Sequence, residues 1–197
     1  MRLTYTSTPW TDQVPCDALM EVAAILQEGV WRQAAVEFSR EKTNATRAGK
    51  VGPQGVQSFL NRTIDERMDQ NDWKGSQGRY RKEDAWVRIT FRHQMSLEAD
   101  LLDALYENKR QGASQTAIVA ASNEFLKVIS PNDWRALCSN EKLVAACRRM
   151  EGCLDFPLFI GRLEPFSDLP KDVTALLASQ RPRGRTVPVH RGGLSEE

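Results

Sequence analysis

Histidine is almost missing from this 197-residue chain: His93 and His190 are the only two. Cysteine is sparse as well, and Cys16, Cys138, Cys147 and Cys153 include no CxxC pair. Zinc sites draw on clusters of these two residue types, so the sequence argues against a zinc module. The cysteines read instead as reduced, partly buried, small apolar side chains. A cysteine–histidine nucleophile pair is likewise unsupported, because no signature sets either histidine beside a cysteine. Long apolar runs are missing too, and none approaches the roughly 20 residues a spanning helix needs. The opening MRLTYTSTPW has no signal-peptide core. A cytoplasmic protein is expected. The patterns GxGxxG, GxxxxGK[ST], GxSxG and HExxH do not occur, which removes the usual signs of a dinucleotide enzyme, an NTPase, an α/β-hydrolase or a zincin.

An excess of one charge is also lacking, with 27 basic residues against 26 acidic. Their distribution is uneven. Residues 41–92 hold Lys42, Arg47, Lys50, Arg62, Arg67, Lys74, Arg79, Arg81, Lys82, Arg88 and Arg92 against seven acids. The stretch from Arg181 to Arg191 holds four arginines, a histidine and no acid. The length suits one domain with a real core. The expected division is a domain over 1–180 and a basic C-terminal tail over 181–197. That tail reads either as a disordered, soluble end or as an arm tracking a nucleic-acid backbone.

Hydrophobic periodicity predicts one amphipathic helix from Pro15 to about Phe38, weakened at Gly29. The polar, basic stretch SREKTNATRAGKVGPQ then reads as a loop, and Pro53 suits the first turn of a second helix ending near Asn71. A polar segment, KGSQGRYRKED, leads into AWVRITFRHQ, the most informative stretch of the chain. Strand side chains alternate, so Ala85, Val87, Ile89 and Phe91 share an apolar face while Trp86, Arg88, Thr90 and Arg92 share a cationic one. Ser96 is a plausible N-cap for a helix with Leu97, Leu101, Leu102 and Leu105 on one side and Gly112 as its stop. Its acids Asp100, Asp103 and Glu107 follow helical spacing opposite the leucines, the usual pattern of a solvated face. A strand at Thr116–Ala121, a helix around Lys142–Met150 and a strand at Phe156–Leu163 complete an α/β alternation.

In the order of these pieces the chain resembles the BglII and BstYI group of type II restriction endonucleases, within the PD-(D/E)XK superfamily. The resemblance is carried by MRLTYTS, SREKTNATRAGKVGPQ, NDWKGS, ITFRHQMSLEADLLDAL, TAIVAAS and FPLFIGRLEP with the basic stretch that follows. It implies a restriction-endonuclease-like mixed central sheet flanked by helices, in a single domain. It also implies a homodimer that encircles duplex DNA and cuts it with Mg²⁺. Such an ion needs oxygen ligands beside the scissile phosphate. The family sets Glu-x-Gln on the central strand just before a Phe, and aligned on Phe91 those positions are Arg88 and Thr90. Its upstream aspartate falls near Arg79. Glu83 and Asp84 lie out of register by several residues.

A guanidinium in place of a metal-binding carboxylate turns attraction into repulsion, about 4 kcal/mol per unit-charge pair at about 4 Å and an effective dielectric of about 20. The resemblance therefore implies a DNA-binding protein with a degraded metal site and no cofactor. Lys42, Arg47, Lys50, Lys74, Arg79, Arg88 and Arg92 are the candidate DNA contacts. For Arg88 and Arg92 the competing reading is an exposed strand face paired with acids of a neighbouring helix. Two alternatives stay open. One is an Mg²⁺-dependent deoxyribonuclease with rearranged carboxylates, using Glu83 or Asp84 with Asp100 or Glu41. The other is a protein-interaction module on the same fold.

Overall fold

A computed structural model describes residues 1–8, 13–27, 29–165 and 175. The expected tail at 181–197 lies outside the described residues. Strand β1 (Arg2–Ser7) is followed by helices α1 (Asp17–Gln27), α2 (Val30–Arg47) and α3 (Gln57–Gln70). Strands β2 (Lys74–Ser76), β3 (Arg79–Lys82) and β4 (Ala85–Thr90) come next, then α4 (Leu97–Gln111), β5 (Gln115–Ala121), α5 (Asn123–Ile129), α6 (Asn140–Arg149) and β6 (Leu158–Glu164). The six strands form one sheet in the order β1-β6-β5-β4-β3-β2. β4, β5 and β6 run parallel, while β1, β3 and β2 are joined to their neighbours antiparallel. The sheet is mixed and helix-flanked, as expected.

Each face of the sheet buries its own apolar cluster. Val87, Ile89, Ala117, Val119 and Phe159 pack with Leu26, Trp31, Phe38, Leu60 and Phe125 from α1, α2, α3 and α5. On the other face Trp86, Ile118, Ala120 and Ile160 meet Leu97, Leu101 and Ala104 of α4 and Leu143 and Ala146 of α6. β4 is consequently buried on both sides along its whole length. Among the described residues no helix is long and apolar enough to cross a membrane.

Several expectations are corrected. The single helix over 15–38 is two helices, because Gly29 takes a left-handed φ of 72° that ends α1 and turns the chain into α2. The loop expected at 39–52 is mostly helix. SREKTNATR contains neither Gly nor Pro, and α2 runs through it until Gly49. Lys42 helps fasten that extension by donating from Nζ to the Pro53 carbonyl at 2.9 Å. α3 accordingly starts at Gln57, after Pro53 rather than on it.

KGSQGRYRK, the polar segment leading into β4, is a β-hairpin. Its two-residue turn, Gln77 (φ 53°) and Gly78 (φ 80°), has the positive dihedrals that match strand twist. β1 and α5 are further elements that periodicity did not indicate. Ser96 precedes α4 but makes no side-chain cap bond, and a short 3-10 turn over Gln94–Ser96 leads in, with His93 Nδ1 accepting from the Met95 amide. Leu102 faces solvent, not the core.

Candidate functional site

β4 delivers Arg88 to the α4 side of the sheet, but into the interior rather than onto a surface. Its side chain is only 4% exposed, so the cationic face is buried at Arg88 and reaches solvent only at Arg92, 44% exposed. The acid it meets is Asp100, brought over the strand by the first turn of α4 and itself 0% exposed. Arg88 Nε and Arg92 Nη1 both lie 3.0 Å from the same oxygen, Asp100 Oδ1. The Arg92 contact is a hydrogen bond. The Arg88 contact is an ion pair whose N–H points off the line to the oxygen, leaving Arg88 Nε and Asp100 Oδ2 buried with no hydrogen-bond partner.

Arg88 Nη1 also donates to the Gln77 carbonyl at 2.9 Å, which ties the strand to the β2–β3 turn. Burial pushes the Arg88 pKa down, Asp100 opposes that shift, and the nearby Arg79 and Arg92 add to it. Guanidinium starts so high that the group stays charged. Thr90, two residues along the same face, is buried and accepts from the Arg92 amide through Oγ1 at 3.3 Å.

The strand next door continues the pattern. Arg79 is the cross-strand partner of Arg88, so two arginines stand side by side where antiparallel pairing normally disfavours like charges. α4 resolves the conflict. Arg79 Nη2 donates to Asp103 Oδ2, and Arg81 Nη1 donates to Glu107 Oε2 at 3.1 Å while its Nη2 reaches the Gln111 carbonyl. Asp100, Asp103 and Glu107 therefore form one helix stripe laid over Arg88, Arg79 and Arg81. The expectation that these acids make a merely solvated face is corrected, and the pairing of the strand arginines with a neighbouring helix is what the geometry shows.

Glu83 and Asp84 form the tight β3–β4 turn, where Lys82 pairs with Ala85, and Asp84 accepts from the Ser114 hydroxyl. Glu41 is on α2, across the sheet from α4, 4.0 Å from Arg62. These acids do not converge with Asp100. Among the described residues no group of three His, Cys, Asp or Glu side chains is placed to hold a metal ion. At the positions where the resemblance puts metal ligands, Arg79, Arg88 and Thr90 offer no carboxylate, and the two acids beside them, Asp100 and Asp103, are already paired with guanidiniums. The residues present do not fit a divalent ion.

Of the remaining candidate contacts, Arg47, Lys50 and Lys74 are exposed and pair with no acid among the described residues. Lys42 is partly buried against Pro53. The loop carrying Lys50 returns to the C-terminal end of β4, where Gln57 Nε2 donates to the Phe91 carbonyl at 2.9 Å and the Val56 amide to Ile129. Beside it lies a polar cleft of about 390 Å³, lined in part by Gln54, Gln57, Asn61, Asn132 and Asp133. Sequence reading missed this cleft, since its two walls are about 75 residues apart in the chain; the clustered side-chain amides were the available signal.

No family model matches the chain, and no curated protein matches it in sequence. Its fold does have solved counterparts. The crystal structure of restriction endonuclease BglII complexed with a DNA 16-mer superposes with a TM-score of 0.57, at 14% identity, over 85% of this chain and 78% of that one. Free BglII gives a TM-score of 0.51 at 12% identity over 85% and 82%. The chain has a BglII-like restriction-endonuclease fold.

Proposed function

We propose that this chain is a DNA-binding protein on a restriction-endonuclease fold whose site for Mg²⁺-dependent cleavage has been replaced by ion pairs. It serves as a noncatalytic, regulatory or defence component in the cytoplasm. The observation that carries the reading is the pairing of Arg79 with Arg88 across β3 and β4. Both stand at positions where the resemblance places acids, and both are matched by α4 carboxylates. One similar structure holds DNA, and the exposed Arg47, Lys50, Lys74, Arg79 and Arg92 give this chain the cations that phosphate contacts require. The scatter of Glu41, Glu83, Asp84 and Asp100 weighs against a rearranged nuclease. The proposal includes a homodimer, supported by the exposed Met95, Leu102 and Tyr106 on and just before α4.

Anisotropy of a labelled duplex over a salt series tests the reading. Each neutralised phosphate contributes about −0.9 to the slope of log K against log salt, so those five cations together give roughly −4.5. A supercoiled plasmid with Mg²⁺ or Mn²⁺ should stay uncut. Failure to bind at low salt, or efficient nicking, would overturn the proposal.

A further inference from the structure

We infer that Arg79, Arg88 and Arg92 form a metal-independent seat for a phosphodiester of duplex DNA, an inference that rests on the DNA-binding reading above. Three guanidiniums face two carboxylates, Asp100 and Asp103, so the cluster keeps one uncompensated positive charge (three minus two). The adjoining Arg81–Glu107 pair is neutral. Arg88 is sealed inside, where salt screens its charge poorly, and it acts as a fixed internal cation in the place of a bound ion.

Arg79 and Arg92 are the groups that reach solvent, at 53% and 44% side-chain exposure. Each spends one terminal nitrogen on its acid, Arg79 its Nη2 and Arg92 its Nη1. Their other fork donors meet no acceptor among the described residues. Two half-free guanidinium forks flanking a buried positive charge suit a phosphate, whose oxygens accept from planar N–H pairs. A metal bridge has no role in such a seat. An incoming divalent ion would meet three guanidiniums, and Asp100 Oδ1 is already held by two of them.

The test is duplex-DNA binding by the full chain, with and without EDTA, for wild type and for Arg79→Gln, Arg92→Gln and Asp103→Asn. Both arginine variants should weaken binding by about tenfold at low salt and flatten the salt slope by about one each. Asp103→Asn frees Arg79 and adds one net positive charge, so it should tighten binding, an effect no structural defect produces. EDTA should change nothing. Thermal unfolding confirms that each variant is folded, and Asp103→Asn, at a half-exposed acid, keeps the question answerable if an arginine variant misfolds. If wild type binds but all three variants match it, or if EDTA releases the DNA, the seat is refuted while DNA binding stands. If wild type itself fails to bind, both readings fall together.

Discussion

Removing the carboxylate of Asp100 is the perturbation whose outcome the structure constrains most tightly. Asp100 Oδ1 stands 3.0 Å from both Arg88 Nε and Arg92 Nη1. At an effective dielectric of about 20 one such contact is worth roughly 5.5 kcal/mol, opposed by a desolvation cost of several kcal/mol for each ion taken out of water. The net value of the pair is therefore modest, but the loss of one partner is not. Asp100→Asn leaves Arg88 charged and buried without the carboxylate it touches, a defect that costs about 3–5 kcal/mol. Arg88→Met is milder, about 1–3 kcal/mol, because Arg92 still neutralises Asp100.

The double variant Arg88→Met/Asp100→Leu removes both charges together and should come within about 2 kcal/mol of wild type, with Arg92 relaxing into water. Urea unfolding followed by circular dichroism and tryptophan fluorescence measures all three. At about 2–4 °C per kcal/mol for a chain of this size, Asp100→Asn should lower Tm by roughly 6–20 °C. An Asp100→Asn protein within about 1 kcal/mol of wild type would refute the reasoning. So would a double variant less stable than either single one, because the buried pair would then be a net source of stability.

Arg88→Glu/Thr90→Gln should not cut DNA, since Arg79 remains where the resemblance places the upstream acid, and it should unfold at lower urea because the new carboxylate lies against the buried Asp100; plasmid nicking and an unfolding curve check the two halves. Native alkylation at pH 8 should label the exposed Cys153 and spare Cys138 and Cys147, whose thiols burial pushes up to about 12 and about 11. Because a raised thiol pKa leaves only about one thiolate in a thousand or fewer at that pH, mass spectrometry finding either buried cysteine modified without denaturant would contradict their placement. Gly78→Ala should cost about 2 kcal/mol or more, as φ is +80° and a Cβ would lie 2.1 Å from the Ile89 carbonyl oxygen; an unchanged urea midpoint would count against the hairpin.

The parts of the fold legible in the sequence are those whose pattern agrees with their burial. α4 carries Leu97 and Leu101 inward, acids early, Lys109 and Arg110 late, and Gly112 at its stop, so each local signal points the same way. β5 is an apolar run because both faces are covered. Beyond Phe38, α2 is polar and reads as a loop, although a helix end with no buried residue needs no apolar stripe. β3 was missed because RYRK offers Tyr80 as its one apolar residue. The other side chains are covered by ion pairs, and a hydrophobicity count does not register those.

The same distinction governs the site. Alternation along AWVRITFRHQ correctly put Arg88 and Arg92 on one face, but whether that face met water depended on a helix packed by tertiary contacts. An arginine is almost never fully buried unless paired, so Arg88 in the middle of a doubly covered strand demanded an acid above it. Asp100 lies 12 residues downstream, in the first turn of the element that folds back over that strand. What no one-dimensional pattern conveys is that Asp103 and Glu107 serve Arg79 and Arg81 in the same way. That matched stripe makes the arginines of β3 and β4 one coherent set, with α4 supplying the negative charge opposite them. The three acids recur at spacings of three and four residues, so one face of α4 meets all three arginines. The ladder therefore supports the proposed binding role, since it leaves Arg79 and Arg92 each with donors to spare at the surface.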